Sequence, residues 1–461
     1  MSKQNSVLSG KVTRTYFYYV LPSLMGLLAI TSANLVDGIF VGNVIGADAL
    51  AAITLMIPYF TVLISIAIML AIGGAVTTGK ALGAKDPDSA SDIFSQSLIA
   101  AGFINLIFAL LSLLFEAELF SLLNIPDEIA PLAASYLNII RWVFIIQLIT
   151  MVLYYQVRSD GHPVLATSAL VTGALLNIIL DAWFIIYLQA GLAGAAYATA
   201  IAQTIQFFVL SQYFFSKQKT LVFKLLQKNW RLLYKSACNG VSELINELSV
   251  GVIFFILNAL MLSRLGVEGV AAFTIVNYFI FLSIMISYGF ADALHLIISQ
   301  NYGAQAFNRV QQFLTLALGC ALIMGGLIAL LLTLWPEVAV GWFISQSELA
   351  AQQMSQQLLV LLLPLFLING TNIILTCYLT AIHQAKPSAI VAITRSLILP
   401  ALLLISCHYV FSNGSLFPFH PPELTFIIAL PLAEWLAFLL ASYYCWQYRP
   451  SKLAHMHRPL D

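Results

Sequence analysis

From Tyr16 onward the chain alternates long apolar runs with short polar ones. A run of about 20 apolar residues, wound as a helix, crosses a bilayer core of about 30 Å. The pattern predicts twelve such spans, at roughly 15–42, 50–78, 92–118, 130–156, 163–187, 190–215, 230–262, 268–299, 311–335, 350–382, 388–411 and 422–447. The connections alternate in charge. One set holds Lys3, Lys11, Arg14, Lys80, Lys85, Arg158, Arg309, Lys386, Arg449, Lys452 and Arg458, together with the basic linker SKQKTLVFKLLQKNWRLLYK (216–235). The other holds Asp48, Glu116, Glu118, Asp127, Glu128, Glu268, Glu337 and Glu348, with Arg264 as its main basic residue. Twelve spans put both termini on one side. The excess of Lys and Arg on that side predicts that the termini and the linker are cytoplasmic.

Composition agrees with the pattern. Hydrophobic residues make up 61% of the 461 and charged residues only 9%, against about 25% charged in soluble domains. The expected class is an all-α polytopic membrane protein. Formal net charge is zero, so nothing points to nucleic acid. The first apolar run is too long for the core of a cleavable signal peptide. Five scattered cysteines in oily surroundings fit neither a disulfide framework nor a metal site.

The two halves repeat. GNVIGADALAAIT (42–54) aligns with LSRLGVEGVAAFT (262–274) at an offset of 220. GKALGAKDPDSASDIFSQSL (79–98) faces SQNYGAQAFNRVQQFLTLAL (299–318) at the same offset, and SDGHP (159–163) faces HQAKP (383–387) at 224. This predicts an N-lobe at 1–215, a cytoplasmic linker at 216–229 and a C-lobe at 230–461. Six spans per repeat is even, so the lobes enter the membrane in the same direction and share a pseudo-two-fold axis along its normal. That plan suits a transporter whose lobes rock about a central cavity.

An ionised side chain in mid-bilayer costs between ~3 and more than ~10 kcal/mol, so the few polar residues inside the spans are informative. In the N-lobe these are Asp37 in span 1 and Asn177 with Asp181 in span 5. Thr199 in span 6 shares a helix face with Gln203. Asn177 and Asp181 are four apart and share a face. Two carboxylates, an amide and a hydroxyl could converge there to hold a proton or a small hard cation through oxygen. The competing reading puts both acids near the interface as helix caps. Pro22, fifteen residues before Asp37, predicts a hinge on the helix that carries the acid, because proline removes a backbone hydrogen bond and crowds the preceding turn. The acid cluster is not repeated in the C-lobe, which has its own polar set: Asn239, Glu243 and Glu247 in span 7, Asp292 and His295 in span 8, and Asn369 and Asn372 in span 10. These form either a polar wall contacting substrate or ordinary interior pairs.

These residues resemble the multidrug and toxic compound extrusion (MATE) transporters over nearly the whole chain. The likeness rests on VDGIFVGNVIGADALAA, GLAGAAYATAIAQ and SQNYGA, and on the spacing of Pro22, Asp37, Asn177, Asp181 and Thr199, which looks like the DinF-type branch. NGVSELINELSVG looks more like the branch of the MepA-type pumps. Asn369 and Asn372 stand where the NorM-type second lobe would place an aspartate. The resemblance implies a bacterial inner-membrane antiporter that expels small organic, often cationic, compounds. It implies a proton or sodium ion at Asp37, Asn177, Asp181 and Thr199, bending of span 1 as drug leaves, and no other cofactor. Lipids and drugs are the expected partners, and a monomer the expected unit. A lipid-linked precursor flippase of the same superfamily is the alternative, though it would want a strongly cationic cavity, and the spans offer little beyond Arg395 and Arg141. No HExxH, GxSxG or paired Asp-rich loop supports an enzyme.

Overall fold

A computed structural model of the protein describes residues 4–225, 229–341, 349–410 and 422–456. Lys3, Glu348 and Arg458 of the charge pattern lie outside these residues. Twelve helices among the described residues are long and apolar enough to cross a membrane: Val12–Ile45, Ala47–Gly83, Pro87–Leu114, Ala130–Ser159, Pro163–Tyr187, Gly191–Phe215, Arg231–Gly266, Glu268–Gly303, Phe307–Leu334, Gln352–Ala381, Ala385–Tyr409 and Leu424–His455. They coincide in number and order with the predicted spans and keep those numbers below. Helix is forced here because backbone groups in lipid have no other partners.

The chain separates into two compact units. One comprises Met1–Leu244 with Ser299–Gln305, the other Ile245–Ile298 with Ala306–Asp461. The division falls inside span 7. In the first unit span 4 is the central post, packing on spans 2, 3 and 6, while spans 1 and 6 pack on span 5. In the second unit span 10 packs on spans 9 and 12. Lipid is as apolar as leucine, so close helix approach must come from small residues. Ala195, Ala196, Ala198 and Ala202 of span 6 are all buried. Gly83 and Gly303 show the limit of this. A Cβ on the first would strike the Gln300 backbone, and one on the second the Lys80 backbone.

Turn geometry repeats with the sequence. Gly46 (φ 126°) joins spans 1 and 2, and Gly266 (φ 64°) joins spans 7 and 8. Positive φ is a conformation that glycine adopts without a side-chain clash. Lys85 (φ 61°) and Gln305 (φ 55°), also 220 apart, take the left-handed turn after spans 2 and 8.

The linker lies along the first unit as a strap. Leu221 is fully buried. The Thr220 N–H donates to Asp160 Oδ2 at 2.6 Å, that of Val222 to Ser91 Oγ at 3.1 Å and that of Lys224 to Ser95 Oγ at 2.9 Å. Lys224 Nζ reaches Asp88 at 3.2 Å and Asp92 at 3.1 Å. Ser91 and Ser95, one turn apart on span 3, thus receive alternate amides of an extended chain.

Candidate functional site

Helix geometry loosens where the acids sit. Span 1 is α-helical from Val12 through Pro22 to Phe40 and then becomes a π-helical turn, Val41–Ile45. Span 5 is α-helical to Asp181 and then forms a π-helical turn at Ala182–Tyr187. Widened turns of this kind are enriched at functional sites because they break the regular ladder and re-aim side chains.

Asp181 is fully buried, and neither carboxylate oxygen has a hydrogen-bond partner. Asp37 is half-buried, with Oδ1 enclosed and unpartnered. Asp37 is near enough to act electrostatically on Asp181, and both act on Tyr136 of span 4. Asn177 Nδ2 points at Thr199 Oγ1, at 3.4 Å. So the two acids sit on spans 1 and 5, which pack against each other, and Asn177 and Thr199 meet one turn from Asp181. Gln203, one turn along span 6 from Thr199, also buries Oε1 without a donor. Orphaned buried acceptors of this kind are costly, and what they lack is a positive partner. The donor set is all oxygen and suits a proton or a hard cation.

The second unit holds a separate, partly open cavity of about 320 Å³. Its wall is mainly apolar and aromatic, with Phe254, Phe273, Phe281 and Tyr288, and is interrupted by Asn246, Glu247, Asn277, Arg395 and Glu434. Of the C-lobe residues singled out in the sequence, Glu247 lines this cavity. Asn239 and Glu243 are buried earlier on the same helix, in the first unit. Asp292 and His295 are buried outside the lining set. Asn369 Oδ1 accepts from Ser283 Oγ at 3.3 Å. Asn372 Nδ2 donates to Glu434 Oε2 at 2.6 Å and to its carbonyl at 2.8 Å.

Glu434 is the residue the sequence reading missed. Arg395 Nε donates to its two carboxylate oxygens at 3.2 and 3.0 Å, from a third π-helical turn, Thr394–Ile398. The available signal was a lone carboxylate in the apolar run of span 12. Arg141 is likewise neutralised, through Glu116, and also donates to the Leu137 carbonyl at 3.1 Å.

A family model described as MatE matches residues 22–183 and 244–405. The two matches start 222 residues apart (22 and 244), between the repeat offsets of 220 and 224. The chain is 23% identical to the probable multidrug resistance protein YoeA of Bacillus subtilis (strain 168), over 80% of this chain and 81% of that one. It is 23% identical to the multidrug export protein MepA of Staphylococcus aureus (strain NCTC 8325 / PS 47), over 86% and 87%. Among solved structures, a MATE crystallised with MaL6 superposes with a TM-score of 0.89 at 22% identity, over 98% of this chain and 99% of that one. An outward-facing multidrug resistance MATE family transporter of the MOP superfamily gives 0.87 at 23% identity, over the same shares.

Proposed function

The chain belongs to the MatE family of multidrug efflux transporters, and from that premise we propose that it is an antiporter driven by a proton or sodium ion bound at Asp37 and Asp181. The observation that carries this reading is the pair of carboxylates on packed spans 1 and 5, Asp181 with both oxygens enclosed and Asp37 with Oδ1 enclosed, none of the three accepting a hydrogen bond. Two such groups repel when both are ionised, and burial strengthens the repulsion. A proton on one lets it donate to the other. A sodium ion would be held by both, with Asn177 and Thr199 supplying further oxygen. Either ion removes the repulsion between spans 1 and 5, so the bound and empty states favour different shapes of span 1.

Coupling follows if drug binds those shapes unequally. Differences of about 1–3 kcal/mol, or 5–150-fold in affinity, are usual between linked sites. In this scheme the outward-facing protein takes up an ion at the acid pair, span 1 bends, the adjoining pocket shrinks and the drug leaves. The substrates are small organic, often cationic, compounds. The chain sits in a bacterial inner membrane with its termini and basic linker in the cytoplasm, and works as a monomer. The carboxylate partners of Arg141 and Arg395 favour drug export over carriage of a polyanionic lipid-linked precursor, which would need unneutralised cations.

The test is drug flux into proteoliposomes, driven first by a pH gradient alone and then by a sodium gradient alone. Native protein should respond to at least one. Asp37→Asn and Asp181→Asn should each lower gradient-driven flux at least tenfold while leaving yield and gel-filtration behaviour unchanged. Flux by both variants at the native rate would remove the acid pair from the mechanism.

A further inference from the structure

Span 1 is gripped at its proline as well as at its acid. Thr167 of span 5 donates its hydroxyl to the Pro22 carbonyl at 3.0 Å. Next along the chain, Ser23 is fully buried and donates to the Tyr19 carbonyl at 2.9 Å. Ser23 also accepts a hydrogen bond from the fully buried Arg158 of span 4. Arg158 is itself braced against Tyr154, with Nη1 at 3.1 Å from the phenol oxygen and the guanidinium carbon 5.0 Å from the ring centre.

The spacing gives these contacts a mechanical meaning. Spans 1 and 5 are both odd-numbered and run in the same direction. Pro22 and Asp37 lie fifteen residues apart on one, Thr167 and Asp181 fourteen apart on the other. At 1.5 Å per residue both intervals are about 21–23 Å. The part of span 1 between Pro22 and Asp37 therefore meets span 5 at both ends. At one end the meeting is a neutral hydrogen bond that no ion changes. At the other it is the acid pair, repulsive when empty and relieved when an ion is bound, with Tyr136 of span 4 as the further titratable group beside it. A helix lacking one backbone hydrogen bond at Pro22 bends there at lower cost, but only if the segment before the bend stays in place.

We propose that Thr167, with Ser23 held by Arg158, forms the fulcrum that fixes the base of span 1 at Pro22, so that ion loading at the far end becomes a bend and not a slide. Thr167, Ser23 and Arg158 are positioning residues and touch neither ion nor drug. The inference rests on the acid-pair reading above.

The full chain, with its five native cysteines replaced, would carry spin labels at the exposed positions Leu35 and Phe103, on spans 1 and 3. Distances by electron–electron resonance would be recorded from pH 8 to pH 5.5, with and without sodium, alongside proton uptake on acidification. Native protein should show uptake and a shifted distance distribution. Thr167→Val, which keeps the shape and removes the donor, should keep the uptake. It should lose more than half of the distance change or move its midpoint by more than half a pH unit. Thr167→Ser should restore both, an outcome that loss of packing alone would not give. Unaltered amplitude and midpoint in Thr167→Val, with uptake intact, would overturn the fulcrum and leave the acid pair standing. A native protein with neither proton uptake nor a sodium-dependent change in the distance distribution would overturn the acid-pair reading, and the fulcrum with it.

Discussion

At the scale of single residues, the same side chain has opposite meanings at different depths. Asp86 caps span 3, accepting the Ser89 N–H at 3.0 Å ahead of Pro87. The Ser89 side chain, and then its backbone N–H, hold the Asp86 carboxyl below the usual carboxylate range. A depressed folded value stabilises above the unfolded value of about 3.9 and is lost as pH falls through the folded one. Asp86→Ala should therefore cost about 1 kcal/mol at pH 7, as a lost cap does. The gap between variant and native should close as the pH drops below about 4, as read by thermal unfolding in detergent. Asp37 and Asp181 have no such cap. Their presence was legible in the sequence because a carboxylate in an oily run has few benign explanations. Glu434 obeys the same logic yet was overlooked, since the partners that explain it, Arg395 and Asn372, lie 39 and 62 residues away in sequence. A local reading shows that a charge is buried but not what satisfies it.

At the scale of helices, Arg395, Glu434 and Asn372 tie spans 11, 12 and 10 together through buried polar contacts. Removing one member of a buried ion pair leaves the other uncompensated, usually at about 3–5 kcal/mol, whereas replacing both by apolar groups of similar volume is often nearly neutral. Glu434→Leu should therefore lower the unfolding temperature sharply, and the Arg395→Met/Glu434→Leu pair should recover most of the loss. A double variant no better than the worse single one would mean the bridge is not acting as a unit. The pattern of apolar runs fixed the number and order of the helices but could not announce the π-helical turns after Asp37, after Asp181 and around Arg395. Those depend on how side chains settle between neighbouring helices, which no local propensity encodes.

At the scale of the whole chain, duplication was visible because the turns need particular backbone conformations at matched places. Gly46 answers Gly266, and Lys85 answers Gln305. The halves have since diverged in chemistry: the acid pair belongs to the first and the cavity with its ion bridge to the second. The strap at 220–224 adds a practical consequence. The joining segment is the property of the leading half, which supplies Asp160, Ser91 and Ser95 to its amides. A transporter expressed as two polypeptides should thus work better when severed after Leu225 than after Phe215. The later break keeps strap and dock on one molecule, at high effective concentration, while the earlier one turns their meeting into a bimolecular encounter. Resistance conferred by the two co-expressed pairs would show the difference, and equal performance would mean that the strap contributes nothing to assembly.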